Sequence, residues 1–302
     1  MELAVTFIIF RRPDATEKVF EAIRKVKPRK LLVIADGPRG SRIGEAENCA
    51  AARMVIDRVD WDCEVYKNYS DVNLGCAKRV SSGLDWAFNL VEETIVLEDD
   101  CIPHPTFFQY CSELLKYYKY DERIMSVCGL SVPSSFRRDD FSYCFSLYQR
   151  CWGWATWKRA WQYYDHDMAL WPQVLENKLL AGLFSVRAIE NFWNRKFQEV
   201  YDNEIDSWAY RWMLSCWLQS GMSILPEVNL ISNIGFTAEA THTANDSFAA
   251  QLTTQELKFP LRHPPFVIRD SGADLFIQRT RHSAELGYRI QNKIKRLKIA
   301  DL

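Results

Sequence analysis

The first 105 residues alternate short apolar runs of strand length with segments of helical periodicity. Consecutive apolar residues suit a strand buried on both faces, whereas apolar residues three and four apart suit one face of a helix. The predicted strands are 3–10, 30–35, 63–66 and 94–97, and the predicted helices are 14–25, 45–58 and 76–91. Such alternation forms parallel βαβ units, so we predict an α/β fold with helices on both faces of a mostly parallel central sheet.

Polar side chains directly follow three of these predicted strands. Arg11 and Arg12 follow the first strand, Asp36 and Gly37 the second, and the acidic triplet 98–100 the fourth. Ligands of open α/β sheets bind beyond the carboxyl ends of the strands. These groups are therefore predicted to surround one binding site.

The acidic triplet consists of Glu98, Asp99 and Asp100. Three consecutive carboxylates at the end of a buried strand repel one another unless water or a cation meets them. Hard oxygen ligands suit Mg²⁺ or Mn²⁺, which can bridge a diphosphate and neutralise the charge of its departure. The triplet predicts an enzyme with such a metal and a phosphorylated substrate.

Composition and missing motifs remove other classes of function. The formal net charge of −1 does not favour a nucleic-acid binder. GxGxxG and GxxxxGK[ST] are both absent, which removes support for nicotinamide chemistry and P-loop hydrolysis. The nine cysteines lack zinc-ligand spacing, and neither a signal peptide nor an apolar run of ~20 residues occurs. We predict a cytoplasmic protein with reduced cysteines.

The rest of the chain predicts one domain and a tail. A helix is predicted over 106–119, helical structure over 176–220, a return strand over 223–231 and a polar loop over 232–246. We predict a domain over 1–265 and a helical C-terminal appendage over 266–302. Lysines and arginines alternate with apolar residues in 286–302, so this helix is predicted either to touch the inner membrane face peripherally or to pack on its own domain.

Several segments together resemble one enzyme family. The segment 95–100, followed by Pro103, Pro105, Phe107 and Phe108, is similar to the strand-to-metal segment of GT-A glycosyltransferases. The similarity is to the N-acetylglucosaminyltransferase I group and its bacterial family-two-like relatives. The family's nucleotide-contacting positions match Arg12-Pro13, Ala35-Asp36-Gly37, Asn73-Leu74-Gly75 and Lys78-Arg79. The resemblance covers roughly residues 3–245 and implies a GT-A (Rossmann-like) fold.

This resemblance implies a metal-dependent, inverting transfer of a sugar from a nucleotide-diphosphate donor, a UDP-sugar, to a hydroxyl of a glycan, lipid-linked or other acceptor. It also implies roles for the residues at the strand ends. Asp36 would hydrogen-bond the base, Arg12 and Arg79 would approach the base or diphosphate, Glu98 and Asp99 would hold ribose or sugar hydroxyls, and Asp100 would ligate the metal.

A second acidic segment, 202–206, precedes an aromatic-rich helix. Asp206 is either an N-cap or first-turn acid of that helix or, as the resemblance implies, the general base that deprotonates the acceptor. Glu204, expected on the acceptor side, is the second candidate for the general base, and Asp202 is the third. His242 is expected to complete the metal shell or pair with phosphate. Trp154 is expected either to stack on a substrate sugar or to pack in the core.

Three other functions remain open from the sequence. One is a retaining glycosyltransferase, which would not need a base at Asp206. A sugar-phosphate nucleotidyltransferase would share the sheet and the metal, but it would carry a glycine-rich loop after the first strand, which the segment 10–14 does not supply. The third is a catalytically silent protein of this fold that binds a carbohydrate or nucleotide.

Overall fold

The computed structural model describes residues 3–133, 140–184, 186–235 and 253–280. In these ranges the strands are β1 (Ala4–Ile9), β2 (Lys30–Ala35), β3 (Glu64–Tyr69), β4 (Glu93–Glu98), β5 (Cys101–Pro103), β6 (Ile124–Cys128), β7 (Tyr143–Ser146), β8 (Trp154–Trp157), β9 (Met222–Pro226) and β10 (Ile231–Asn233). The helices are α1 (Pro13–Val26), α2 (Glu45–Met54), α3 (Cys76–Ala87), α4 (Pro105–Tyr117), α5 (Lys158–Trp161), α6 (Trp171–Glu176), α7 (Arg187–Tyr201) and α8 (Trp208–Leu218). Residues 271–280 are also helical.

The main sheet has the strand order β3-β2-β1-β4-β8-β6-β9-β7. Its first four strands are mutually parallel, and β8 and β7 run against their neighbours. The predicted α/β class with a mostly parallel central sheet is confirmed. A second sheet of two antiparallel strands, β5 and β10, lies next to the end of β4 and pairs Ser232 with Ile102.

Alternate residues of the central strands face two different apolar layers, as the two-residue period of a strand requires. Val5 and Phe7 of β1 pack in a cluster with α1 and α4, whereas Ile8, with Ile34 and Val96 of its neighbours, packs with α3 and α8. These side chains are at most 8% exposed. Both faces of the sheet are therefore covered, which leaves its strand ends for binding.

The early elements follow the predictions closely. β2 has the predicted bounds, and β1, α1 and β4 differ from theirs by one residue at each end. The predicted helix 45–58 ends earlier, with a short 3₁₀ turn at Val55–Arg58, and the predicted strand 223–231 is two strands, β9 and β10. These two strands belong to different sheets, so the predicted single return strand is wrong.

The described beginning of the predicted C-terminal appendage is built into the main body. Ala273 and Ile277 are fully buried in a cluster with Tyr148 and Trp193. The buried Asp274 accepts hydrogen bonds from Ser146 Oγ at 2.5 Å and the backbone N–H of Leu147 at 3.2 Å. The predicted membrane-contacting stretch, 286–302, lies outside the described residues.

No helix among the described residues is long and apolar enough to cross a membrane. No disulfide joins any of the nine cysteines, all of which lie in the described ranges, and six of them are buried.

Candidate active site

A pocket of about 250 Å³ lies at the carboxyl ends of β1, β2 and β4. We call it the strand-end pocket. Its polar and charged lining side chains are Arg12, Asp36, Arg39, Asn73, Arg79, Glu98, Asp99, Asp100, Asp206 and Asn233, and Phe10, Gly75, Cys76, Trp152 and Gly235 also line it. The groups that follow the first, second and fourth strands are thus brought to one place.

Arg12 is bonded to two of the three acids in the triplet. Its Nη2 donates to Oδ1 of Asp99 at 2.5 Å and to Oδ2 of Asp100 at 2.9 Å. Burial alone would lower the pKa of Arg12, but the two carboxylates raise it above its ordinary value. The guanidinium therefore stays charged and neutralises one of the three acids.

Glu98 pairs with Ile8 of β1 through its backbone, but its side chain makes no hydrogen bond or ion pair with any described residue. Burial, followed by the charges of Asp100 and Asp99, raises the pKa of Glu98 to about 8. Burial also raises the pKa of Asp99 to about 6, although Arg12 lowers it. The pocket thus holds more negative charge than its described cations compensate, a condition that favours a proton or a bound cation.

Gly235 closes one wall of the pocket directly over this ion pair. A Cβ atom at position 235 would lie 2.1 Å from Oδ2 of Asp100 and 3.0 Å from Nη1 of Arg12. The backbone N–H of Ile234 also donates to the carbonyl of Asp100 at 2.8 Å. The strand β10 and the residues that follow it therefore hold the acidic triplet in place, a contact between segments more than 130 residues apart in sequence.

Asp36 lies at the end of β2 and holds the segment that leads into α3. Its carboxylate accepts hydrogen bonds from the side chain of Asn73 at 3.0 Å and from the backbone N–H of Leu74 at 2.9 Å and of Gly75 at 3.2 Å. Burial raises the pKa of Asp36, and these N–H donors partly oppose that rise. The predicted contact between Asp36 and a base stays a prediction.

Arg79 is 6% exposed and lines the pocket beside Asp36. Its Nη2 donates to the backbone carbonyl of Asn68 at 2.8 Å and to the side-chain oxygen of the same residue. Its Nε is buried without a hydrogen-bond partner, and burial lowers the pKa of Arg79. A buried guanidinium with an unpaired N–H that lines a pocket can meet an anion or a carbonyl oxygen of a ligand.

Asp206 belongs to the same pocket, and it does not cap its own helix. Helix α8 begins at Trp208 with Ser207 as N-cap and no side-chain capping bond. Instead, Asp206 accepts hydrogen bonds from the backbone N–H groups of Cys76, at 2.9 Å, and Ala77, at 3.0 Å, in the first turn of α3. These two hydrogen bonds orient the carboxylate. Because Asp206 is exposed, the carboxylate is still accessible to a ligand.

Arg39 is a pocket residue that the sequence did not indicate. Its side chain and its backbone N–H both bond to the buried Glu45, and its guanidinium lies 5.7 Å from the centre of the Phe10 ring. A charged loop residue such as Arg39 is more often solvated. The only sign in the sequence of its pairing with Glu45, the first residue of α2, is that the two opposite charges lie six residues apart.

Trp154 packs in the core, the second of its two expected positions, and does not line the strand-end pocket. It is 1% exposed and stacks on Trp208 with ring centroids 5.4 Å apart, inside a cluster that includes Trp161 and Trp212. Its neighbour Trp152 lines the pocket instead.

Of the two remaining site candidates, only Glu204 lies among the described residues. Glu204 is exposed and is not part of the pocket lining. His242 lies outside the described residues. Among the described residues, no group of three or more His, Cys, Asp or Glu side chains is arranged to hold a metal ion.

Comparisons with known proteins do not assign a family. No family model matches the chain, and no curated protein matches it significantly. Among solved structures, the 4-diphosphocytidyl-2C-methyl-D-erythritol synthase of Anaerococcus prevotii is 11% identical, with a TM-score of 0.33, over 72% of this chain and all of that protein. The inositol-1-phosphate CTP transferase of T. maritima is 13% identical, with a TM-score of 0.23, over 49% of this chain and 56% of that one.

A third structure, a UDP-glucose pyrophosphorylase in complex with UDP-glucose, is 9% identical, with a TM-score of 0.26, over 49% of this chain and 64% of that one. This chain thus spans less than two thirds of the second and third proteins. Similarities at this level of identity and TM-score do not identify a reaction.

Proposed function

We propose that this protein is a metal-dependent, inverting glycosyltransferase that moves a sugar from a UDP-sugar to an acceptor hydroxyl. The observation that carries the proposal is the composition of the strand-end pocket. It combines an under-neutralised acidic triplet, buried or partly buried arginines and one accessible, oriented carboxylate. Arginines and an acidic triplet that can hold a cation are suited to binding a diphosphate, and an oriented carboxylate is suited to activating a hydroxyl.

The donor would lie along the strand ends. Adjacent parallel strands are about 4.8 Å apart, so the end of β2 is separated from the end of β4 by about 10 Å across β1. That span suits a nucleoside joined to a diphosphate. Arg79, with its unpaired Nε, would meet the nucleoside side, and Arg12 the diphosphate side.

The acidic triplet fits a hard divalent cation in its donor chemistry. The side chain of Glu98 is without a hydrogen-bond partner among the described residues, and Asp100 shares Arg12 with Asp99. Asp100 and Glu98 would hold Mg²⁺ or Mn²⁺, and the other ligands would be phosphate oxygens and water. The bound ion would supply charge neutralisation for the departing diphosphate.

Asp206 would be the general base. Its two hydrogen bonds to the first turn of α3 fix the carboxylate, and its exposure leaves lone pairs for an incoming hydroxyl. Inversion requires a base on the face of the sugar opposite the leaving group. In the direct displacement, the acceptor oxygen would bond to the anomeric carbon as the bond from that carbon to the diphosphate oxygen breaks. UDP would leave, and the acceptor proton would pass to Asp206.

A sugar-phosphate nucleotidyltransferase is the alternative. The three similar solved structures have names that agree with it, but TM-scores of 0.23 to 0.33 carry no argument for the reaction. In this chain β1 passes through Phe10, Arg11 and Arg12 straight into α1, which begins at Pro13. This short connection leaves no glycine-rich loop for a nucleoside triphosphate.

The test is a thermal-shift panel of nucleoside diphosphates and nucleotide sugars, each with and without Mn²⁺, followed by assays of two reactions. We expect Mn²⁺-dependent stabilisation by uridine nucleotides and slow hydrolysis of one UDP-sugar without added acceptor. Pyrophosphate release from a nucleoside triphosphate and a sugar 1-phosphate would support the alternative. No metal-dependent stabilisation by any nucleotide would refute the proposal.

A further inference from the structure

Two carboxylates divide four consecutive backbone N–H groups between them. Asp36 accepts from those of Leu74 and Gly75, and Asp206 accepts from those of Cys76 and Ala77. The segment 73–77 is therefore held at both ends, by the end of β2 and by the residue before the N-cap of α8. We call this arrangement the two-carboxylate clamp.

The carboxylate of Asp36 is fully engaged within the clamp. Its Oδ1 accepts from the N–H groups of Gly37 and Leu74, both at 2.9 Å. Its Oδ2 accepts from the side chain of Asn73 at 3.0 Å and from the N–H of Gly75 at 3.2 Å. An ionised carboxylate offers about four lone-pair sites, and all of them are taken here.

Glycine is required at both contact points of the clamp. A Cβ at Gly37 would lie 2.5 Å from the backbone carbonyl carbon of Val72, so only glycine lets the end of β2 approach the segment. A Cβ at Gly75 would lie 2.9 Å from Oδ2 of Asp206, and Gly75 also has a φ of +81°. The backbone is thus shaped to bring each carboxylate to its N–H groups.

We propose that Asp36 is a positioning residue for Asp206 and does not read the nucleobase. Asp36 fixes Leu74 and Gly75, the same stretch of backbone presents Cys76 and Ala77, and these orient the carboxylate of Asp206. This inference rests on the proposed role of Asp206 as the base. A base displaced by a fraction of an ångström to 1 Å can lose up to about 100-fold in rate.

The kinetic test is Asp36→Asn, with Asp71→Asn as the matched control. Asp71 lies in the same connection, is exposed and has no hydrogen bond or ion pair with a described residue. We expect Asp36→Asn to lower kcat at saturating donor by about 10- to 100-fold. The ratio of the Kd values for UDP and CDP should stay within about twofold of the wild-type ratio, since no base contact is lost. An unchanged kcat with a collapsed UDP-to-CDP ratio would overturn the proposal.

Gly75→Ala tests the clamp from its other side if Asp36→Asn does not fold. Its methyl group would press on Asp206 and leave the Asp36 side chain intact. The expected result is the same fall in kcat with the Kd for UDP retained. A normal kcat in Gly75→Ala would contradict coupling through this segment.

Amide hydrogen exchange of residues 74–77 tests the clamp without any catalytic readout. In Asp36→Asn we expect faster exchange at Cys76 and Ala77 as well as at Leu74 and Gly75. Faster exchange confined to Leu74 and Gly75 would show that Asp206 is held independently, and it would overturn the inference. If the wild-type enzyme uses no nucleotide sugar, the proposed function fails, yet this measurement still decides whether Asp36 positions Asp206.

Discussion

The Nη2 atom of Arg12 lies 2.9 Å from Oδ2 of Asp100 and makes a second bond to Asp99. One guanidinium thus spans two neighbouring acids at the end of a buried strand, and the third acid, Glu98, is left without a described partner. The stability of the apoprotein and its affinity for a cation should therefore depend on the same few charges.

Replacing Arg12 by Met should destabilise the fold. The substitution leaves two carboxylates, 4% and 13% exposed, without their cation. Breaking a buried pair costs about 3–5 kcal/mol, and partial exposure of Arg12 should reduce this to about 2 kcal/mol. Urea denaturation measures the loss, and Mn²⁺ should restore part of it. Equal stability of variant and wild type would show that the pair is not important in solution.

Glu98→Gln should stabilise the protein at alkaline pH. The pKa of Glu98 is raised from 4.5 to about 8, so the folded state retains a proton that the unfolded state loses between these values. The free energy of unfolding contributed by Glu98 is therefore greatest below about pH 4.5 and is lost as the pH rises through about 8. The variant should gain about 2 kcal/mol over wild type near pH 8.5 and much less near pH 5.

Urea denaturation of wild type and Glu98→Gln from about pH 5 to pH 9 measures this difference in the free energy of unfolding. The contributions of groups that titrate alike in both proteins cancel in the difference. A difference that does not change with pH would refute the raised pKa.

Gly235→Ala should disturb the acidic triplet directly. The added methyl group would overlap Oδ2 of Asp100, and overpacking of this kind costs about 1–3 kcal/mol. We also expect Mn²⁺-dependent nucleotide binding to weaken about tenfold, which calorimetry would detect. Gly182→Ala is the matched control, because a Cβ there meets nothing within 4 Å. Identical behaviour of the two variants would argue against the role of Gly235.

Asp206→Asn should abolish transfer and spare donor binding. Removing a general base lowers kcat by about 10²- to 10⁴-fold, whereas the Kd for UDP with Mn²⁺ should stay near its wild-type value. Glu204→Gln, an exposed carboxylate outside the pocket, should keep normal kcat. Parallel loss of UDP binding in Asp206→Asn would assign this carboxylate to the donor instead.

The tryptophans at 152 and 154 should respond differently to substitution. Trp154→Phe leaves a cavity in a buried aromatic cluster and should lower the free energy of unfolding by about 1–3 kcal/mol, with the KM values retained. Trp152→Phe alters the pocket wall, so it should change a substrate KM more than stability. The reverse pattern would instead support stacking of Trp154 on a substrate sugar.

The sequence predicted the strands and helices whose core-facing side chains are fully buried and whose apolar residues recur with a clear period. β2 is fully apolar after Lys30 and buried from Leu31 to Ala35, and α1 buries Val19, Phe20 and Ile23 on one stripe. β6, β7 and β8 were not predicted, because they are short and contain polar or aromatic residues whose partners are distant. Thr156, for example, donates to the carbonyl of Met125 across the sheet.

The order of strands and helices alone predicted only the site residues at a strand end, whereas Arg79 and Asp206 were expected from the family resemblance. Arg12, Asp36 and the acidic triplet were found in that way, and the structure places them together. The partners of Asp206 were not predictable, because its hydrogen bonds join residues about 130 positions apart. A tryptophan pattern, likewise, cannot distinguish the pocket wall at Trp152 from the core at Trp154.

The covering of β7 has a consequence for handling the protein. Strand β7 pairs with β9 on one side, and on its other side Arg269 bridges to Phe145, while Ser142 and Arg262 exchange hydrogen bonds. A chain shortened at residue 265 would lose Arg269 and the residues after it, and with them part of this cover. The bared strand edge would offer free N–H and C=O groups to other molecules, so such a truncation should aggregate even though every pocket residue named here is retained.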